Sequence, residues 1–205
     1  MSKKTAALFL NGDPPNALAM QHAMQENPEF YICTDGAYHY INSLKINPNV
    51  VIGDMDSLSE SPTNTEVIFI DDQNTTDFEK ALQYLCDVGF EKVLVLGSTG
   101  GQHDHFLGNL NTAFKFREQL SIKFFDQSQY FFLADIKQKI DTKPGKVISL
   151  IPFPDAKGIT LSGFQYSLNN ESLSLVDKIG TRNIAVSETP SVHFESGALW
   201  IFVEY

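Results

Sequence analysis

Residues 76–101 read TDFEKALQYLCDVGFEKVLVLGSTGG, and the alternation inside this stretch decides the fold. Phe78, Ala81, Leu82, Leu85 and Cys86 recur at the spacing of one apolar helix face, and the pattern stops before Gly89. A short continuous β-rich run follows at 93–96, closed by the glycine turn Gly97-Ser98-Thr99-Gly100-Gly101. Helix, strand and turn in this order are part of a βαβ unit. Such a strand belongs to a parallel sheet, because parallel neighbours are joined only by crossovers of about a dozen residues or more.

Further runs of the same kind stand at 6–10, 30–33, 50–52, 67–70 and 122–125, so six strands are expected. Phe106, Leu107, Leu110, Ala113 and Phe114 repeat the helical spacing after the glycine turn. The expected architecture is therefore α/β, a Rossmann-like parallel sheet with helices on both faces. After about Gln127 the helical period disappears. Strands are then expected at 130–133, 147–151, 159–162, 173–176, 184–187 and 199–203, separated by turn signals such as Lys143-Pro144-Gly145 and Asn169-Asn170. That spacing suits a small β-sandwich. A boundary between 126 and 136 divides the chain into an α/β domain, 1–130, and an all-β domain, 131–205.

With 205 residues, 42% hydrophobic and 20% charged, the chain can bury a core, which excludes a disordered or collagen-like class. Its net charge of −10 opposes nucleic acid and anionic membrane surfaces, so neither is an expected partner. A phosphorylated small molecule remains compatible if a divalent metal stands between carboxylate and phosphate. Cys33 and Cys86 are the only cysteines, which rules out a disulfide framework or a four-cysteine zinc site and makes both expected core thiols. The apolar stretch at 5–10 ends at Asn11-Gly12-Asp13-Pro14, too short for a signal sequence or a membrane span, so a cytoplasmic location is expected.

The strongest signal is positional. Polar and glycine residues follow nearly every expected parallel strand: Asn11-Gly12-Asp13, Asp35-Gly36, Gly53-Asp54-Met55-Asp56-Ser57, Asp71-Asp72-Gln73 and the glycine turn at 97–101. In an open α/β sheet the carboxyl ends of the strands line one edge, where ligands bind, so these five segments are expected to converge. Asp54 and Asp56, two apart beyond a strand, project to one side if the extended conformation persists, and a hard cation such as Mg²⁺ suits such a pair. Alone, the pattern also fits a solvated turn. Thr76 and Glu79 form a capping box that places Asp77 in the first helical turn, where it either complements the helix dipole or serves the site. Lys80 is either an exposed lysine, a phosphate contact or a tether for a carboxylate.

The turn at 97–101, between a strand and a helix, offers backbone N–H groups to an anion. It is not a Walker loop, since no lysine stands at the required place, and a full dinucleotide fingerprint is absent from the sequence. His103 and His105 flank Asp104 and diverge on a helix, which disfavours zinc; no serine elbow or cysteine nucleophile is evident. Trp200, a lone tryptophan in an expected strand, reads as core.

The ordered set resembles the thiamine pyrophosphokinase family. The resemblance runs through Asn11-Gly12-Asp13, Asp35-Gly36-Ala37, Ile52-Gly53-Asp54-Met55-Asp56-Ser57, the run from Asp72 to Lys80, and Thr99-Gly100-Gly101-Gln102-His103-Asp104-His105 with Asn109 downstream. In the second part Gly163-Phe164-Gln165-Tyr166-Ser167-Leu168, Gly180-Thr181-Arg182-Asn183 and Gly197-Ala198-Leu199-Trp200 look like the family's β-domain. The resemblance implies a homodimer that transfers the terminal diphosphate of ATP to the hydroxyl of thiamine, leaving AMP, with thiamine between the α/β domain and the partner's β-domain. It implies Asp54, Asp56 and Asp77 as metal ligands for Mg²⁺, these three with Asp104 as the catalytic set, Gly12, Asp35, Gln73, Thr76, Lys80, Thr99, Gly100, Gly101 and Asp104 at the ATP site, and Asn183 and Tyr166 toward thiamine. Three positions depart from the family's usual pattern: Asn74 for a second aspartate, Gln102 for an arginine, and Arg182 for a serine. They motivate two other readings, transfer to another heterocyclic alcohol such as a hydroxymethylpterin, and a non-catalytic nucleotide or thiamine binder.

Overall fold

The computed structural model describes residues 3–58 and 62–205. The chain divides into two compact units, Met1–Gln127 and Ser128–Tyr205.

The first unit comprises β1 (Thr5–Phe9), α1 (Ala17–Met24), β2 (Phe30–Thr34), a 3₁₀ turn (Asp35–Ala37), α2 (Tyr38–Ile41), β3 (Val50–Gly53), β4 (Glu66–Phe69), α3 (Asp77–Asp87), β5 (Lys92–Leu96), α4 (His103–Lys115) and β6 (Ser121–Phe125). Its strands lie in the order β4-β3-β2-β1-β5-β6, and every adjacent pair is parallel. The direction of winding reverses between β1 and β5. All five residues of β1 are buried and so are four of β5, the unbroken apolar pattern expected of strands covered on both faces. The edge strand β4 is largely exposed.

Local chemistry explains the helix boundaries. Thr76 Oγ1 accepts from the Glu79 N–H at 3.2 Å and starts α3, whose buried face is Phe78, Lys80, Ala81, Leu82 and Leu85. Asn16 Oδ1 caps α1 by accepting from Ala19 N–H at 2.8 Å. The α1 pattern is faint in the sequence because Ala19 and Ala23, its buried residues, contribute little apolar contrast. Among the described residues no helix is long and apolar enough to cross a membrane.

The second unit is all β: β7 (Gln129–Leu133), β8 (Lys137–Lys139), β9 (Val147–Ser162), β10 (Glu171–Ser174), β11 (Gly180–Ile184), β12 (Ser191–His193) and β13 (Ser196–Glu204). These strands run β7-β13-β9-β12-β8 with antiparallel pairing, and β10 and β11 also pair with β9. The expected strands 147–151 and 159–162 are one continuous element, β9. Pro152, Pro154 and Gly158 look like breakers, yet β13 absorbs the irregularity: Leu199 faces Pro152 while Gly197 faces Ala156, so the register shifts without ending the ladder. Expected strand 184–187 is displaced to β11, and the short strands β8 and β12 lack an apolar run that would announce them. Ile148, Leu150, Leu161, Phe164, Phe194 and Leu199 are among the residues of this unit's core. Trp200 is 1% exposed, in agreement with the core reading.

Candidate active site

Strand ends carry the chemistry. Asp35 leaves β2 into the 3₁₀ turn and is 3% exposed; its Oδ1 accepts from Gly36 N–H at 2.7 Å. Its Oδ2 is buried and has no hydrogen-bond partner. Beyond β3 the chain does not remain extended, because Met55 adopts a left-handed backbone with φ of 64°. That turn lets the Asp56 N–H donate to Asp54 Oδ1 at 3.2 Å. One carboxylate oxygen from each of Asp35, Asp54 and Asp56 lies within 4.8 Å of the others. Among the described residues this is the one group of three or more acidic, histidine or cysteine side chains so gathered.

The expected convergence of the five loop segments is visible in their contacts. Leu10 N–H donates to Leu96 O at 2.9 Å, Gly12 N–H to Gly97 O at 2.8 Å, and Asp13 N–H to Thr99 O at 2.8 Å, so the loops after β1 and β5 are zipped together. Gly12 has no room for a side chain, since a methyl group there would overlap the Thr99 and Gly97 carbonyls. Gly53 lies against Asp35, where an added methyl would stand 2.8 Å from the carboxylate carbon. Gln73 Nε2 donates to Asp54 Oδ2 at 3.1 Å, tying the loop after β4 to the loop after β3. Thr99 Oγ1 donates to Asp126 Oδ1 at 2.7 Å, and Asn109 Nδ2 to Ser98 O at 2.9 Å, which hold the glycine turn from beyond β6 and from α4.

Electrostatics distinguish the carboxylates. Burial pushes Asp35 above its ordinary value, opposed by the Gly36 and Ser57 N–H groups and reinforced by the charges of Asp77 and Asp54. Asp54 is held below its ordinary value by the Gln73 amide and the Asp56 N–H. Asp72 is likewise lowered, by the N–H of Asn74 and the Thr75 hydroxyl. A buried carboxylate with an oxygen lacking a partner, facing two others, suits a hard divalent cation with oxygen ligands.

The other expected site residues separate by role. Asp77 stands outside the triad: its Oδ1 accepts from Lys80 Nζ at 2.9 Å, and the Lys80 side chain is 4% exposed. The lysine thus tethers a carboxylate at this edge. Asn74 donates through Nδ2 to Asp72 Oδ1 at 3.0 Å, so this departure from the family pattern closes the acidic loop on itself. Asp104 lies in the first turn of α4, its Oδ1 accepting from His105 N–H at 3.1 Å. In the second unit Asn183 is buried and its side chain is occupied locally: Oδ1 accepts from Tyr166 N–H at 3.0 Å and Ile184 N–H at 2.8 Å, and Nδ2 donates to Tyr166 O at 2.7 Å. The Tyr166 residue is exposed. Arg182 pairs with Glu204 at 3.3 Å.

Two residues that organise this edge escape the motif reading. Asp126 follows β6 directly, so the rule of polar residues at strand ends would have found it. Tyr40, whose hydroxyl donates to Leu10 O at 2.7 Å, carries no signal in the sequence that separates it from a core aromatic.

The fold and this edge define a class: a parallel α/β unit with gathered carboxylates and a glycine turn at the carboxyl ends of its strands, followed in sequence by an all-β unit. Residues 21–125 match the family described as "Thiamin pyrophosphokinase, catalytic domain", and residues 135–199 match "Thiamin pyrophosphokinase, vitamin B1 binding domain". The chain belongs to the thiamin pyrophosphokinase family. It is 31% identical to thiamine pyrophosphokinase 1 of Oryza sativa subsp. japonica over 77% of its length, spanning 66% of that relative. It is 26% identical to thiamine pyrophosphokinase of Bacillus subtilis, with 92% of this chain and 93% of the relative covered. The crystal structure of the Bacillus subtilis thiamine pyrophosphokinase superposes with a TM-score of 0.86 at 23% identity, covering 98% and 99% of the two chains, and so shares the fold.

Proposed function

We propose that this chain transfers the diphosphate of ATP to the hydroxyl of thiamine, yielding thiamine diphosphate and AMP, with Mg²⁺ held by Asp35, Asp54 and Asp56. The observation that carries the reading is the triad itself, with its buried unpartnered Asp35 oxygen, in a member of this family. Transfer to a different alcohol, or binding without catalysis, finds no favour in the relatives, all named for the thiamine reaction. When bound, the metal neutralises the triphosphate and orients it for in-line displacement.

The chain's own groups do the rest. The thiamine hydroxyl oxygen attacks the β-phosphorus, the bond from that phosphorus to the α,β-bridging oxygen breaks, and AMP departs. The hydroxyl proton passes to a carboxylate at this edge, and Asp77, one third exposed with its Oδ1 held by Lys80, is the assigned acceptor. No protein nucleophile is needed, and most of the acceleration comes from placement. The glycine turn, with Thr99, Gly100, Gly101 and the first turn of α4 at Asp104, is assigned to the phosphates, together with Gly12, Gln73, Thr76 and Lys80. Asn183 and Tyr166 are assigned to the thiamine side, where the Asn183 bonds shape the loop and the exposed Tyr166 makes the contact.

The same reading includes Rossmann-like layering with helices on both faces. It is supported by the reversal of winding between β1 and β5, since right-handed crossovers then place α3 and α4 opposite α1. It further includes a β-sandwich in 131–205 that binds thiamine and dimerises, an α/β catalytic domain in 1–130, and a cytoplasmic setting suited to two free thiols. The test is AMP release. AMP formed only with thiamine and Mg²⁺ supports the proposal, and near-normal turnover in both Asp56→Asn and Asp77→Asn refutes the roles given to those residues.

A further inference from the structure

The segment beyond β2 begins with Asp35 and carries Tyr40 five residues on, in α2. Tyr40 is 4% exposed, and its hydroxyl donates to the Leu10 carbonyl at 2.7 Å. Leu10 is the first residue past β1, and its N–H is bound to Leu96 O at 2.9 Å. The phenol therefore reaches the fork where the winding of the sheet reverses. Gly97 makes room for it: a methyl group there would overlap the Leu10 carbonyl and stand 2.5 Å from the Tyr40 hydroxyl, and its φ of 68° suits glycine. A second contact ties the same segment to the same loop, since Gly36 lies so close against Asn11 that an added methyl would overlap the asparagine side chain.

The turn bearing Asp35 is thus fastened at two points to residues 10 and 11, by packing at Gly36 and by a directional bond at Tyr40. The remaining buried groups of α2, Tyr38 and Ile41, pack without fixing direction. Three carboxylates whose oxygens lie within 4.8 Å repel one another when ionised, so keeping Asp35 in this position calls for a fixed anchor. Burial raises the Tyr40 hydroxyl well above its ordinary value, with a smaller contribution from Cys33, so it stays a donor throughout the working range.

We propose that Tyr40 is a positioning residue whose hydroxyl, through Leu10, holds Asp35 in register with Asp54 and Asp56 and thereby sets the metal affinity of the site. This rests on the metal reading given above. Groups that orient a metal ligand without touching the ion matter because coordination distances are satisfied only within about 0.2 Å, and their loss weakens affinity by about 10- to 100-fold.

The experiment compares the full-length wild type with Tyr40→Phe, which keeps the ring and removes only the hydroxyl. Mn²⁺ is titrated without nucleotide and the free ion is followed by electron paramagnetic resonance, with a thermal melt alongside. The expected result is a cooperative melt, Mn²⁺ affinity about tenfold weaker, and AMP formation that falls at limiting Mg²⁺ but recovers at high Mg²⁺ with the KM for thiamine unchanged. Equal Mn²⁺ affinity in the two proteins overturns the role of Tyr40 and leaves the metal reading standing, even if the melting temperature drops. A wild type that binds no Mn²⁺ overturns both.

Discussion

Lys80 and Asp77 form an ion pair one helical turn apart on α3, Nζ to Oδ1 at 2.9 Å, with the lysine almost wholly buried and the aspartate one third exposed. The asymmetry matters. Replacing Lys80 by Met keeps the buried stem but removes a cation that helps to lower both Asp54 and Asp72. Lys80→Met should cut AMP formation by about 100-fold, the scale for losing one preorganised contact near the reacting groups. Its stability should fall by only about 1–2 kcal/mol, less than for a fully buried pair because water reaches Asp77. Steady-state kinetics and urea unfolding check the two parts separately.

Asp35 carries function at the expense of stability. Because burial raises it, its charged form is disfavoured in the folded protein, and the sign follows: its contribution to folding is most favourable below the ordinary aspartate range and is lost as pH rises through the elevated folded value. Asp35→Asn should therefore melt at a higher temperature than the wild type at pH 7 while losing about 100-fold in metal affinity or turnover. A variant that melts lower would mean that the carboxylate has partners outside those seen in the structure.

The sequence exposes those parts of the site that lie in order along a strand end, and hides those that depend on packing. Asp54 and Asp56 are legible because they follow a run of apolar residues, although the turn at Met55, and not an extended strand, brings them together. Asp35 is legible as a site residue but not as a neighbour of Asp54, since that proximity comes from the parallel pairing of β2 with β3, Thr34 opposite Ile52. The helices α3 and α4 announce themselves through apolar periodicity, whereas α1, with alanine as its buried face, does not. In the second unit β9 is hidden by its prolines, because only the register of β13 shows that the ladder continues past them.

Glu26 offers a test of stability away from the site. Its carboxylate bridges Lys92 at 2.6 Å and Lys123 at 2.8 Å, fastening the segment after α1 to β5 and β6. Burial pushes it up, but the hydrogen bonds from Lys123 and Lys92 together with their charges outweigh that and hold it below the ordinary glutamate value. Its stabilisation is then present above the unfolded glutamate range and lost as pH falls through the lowered folded value. Glu26→Gln should cost about 1–3 kcal/mol at pH 7, with the difference from wild type vanishing in acid. Urea unfolding of both proteins between pH 7 and pH 3 reads this directly, and a constant difference across that range would contradict it.

Cys33 lies in β2 two residues before Asp35, fully buried, and burial together with the Asp35 charge pushes its thiol up to about 12. The thiolate is the reactive species, so at pH 8 Cys33 should be inert in the folded protein. Cys86 on α3 is raised in the same sense, by burial and by Asp87, but is only partly covered. Iodoacetamide at pH 8 followed by mass spectrometry should find slow labelling at Cys86 and none at Cys33 until the protein is unfolded. The same measurement reports on the triad, because any opening of the Asp35 turn exposes the end of β2. Asp35→Asn should leave Cys33 protected, since removing the charge relieves the repulsion. Rapid labelling of Cys33 in the folded wild type would show that β2 is not held between β1 and β3 as described, and with it the placement of Asp35 against Asp54 and Asp56 would fail.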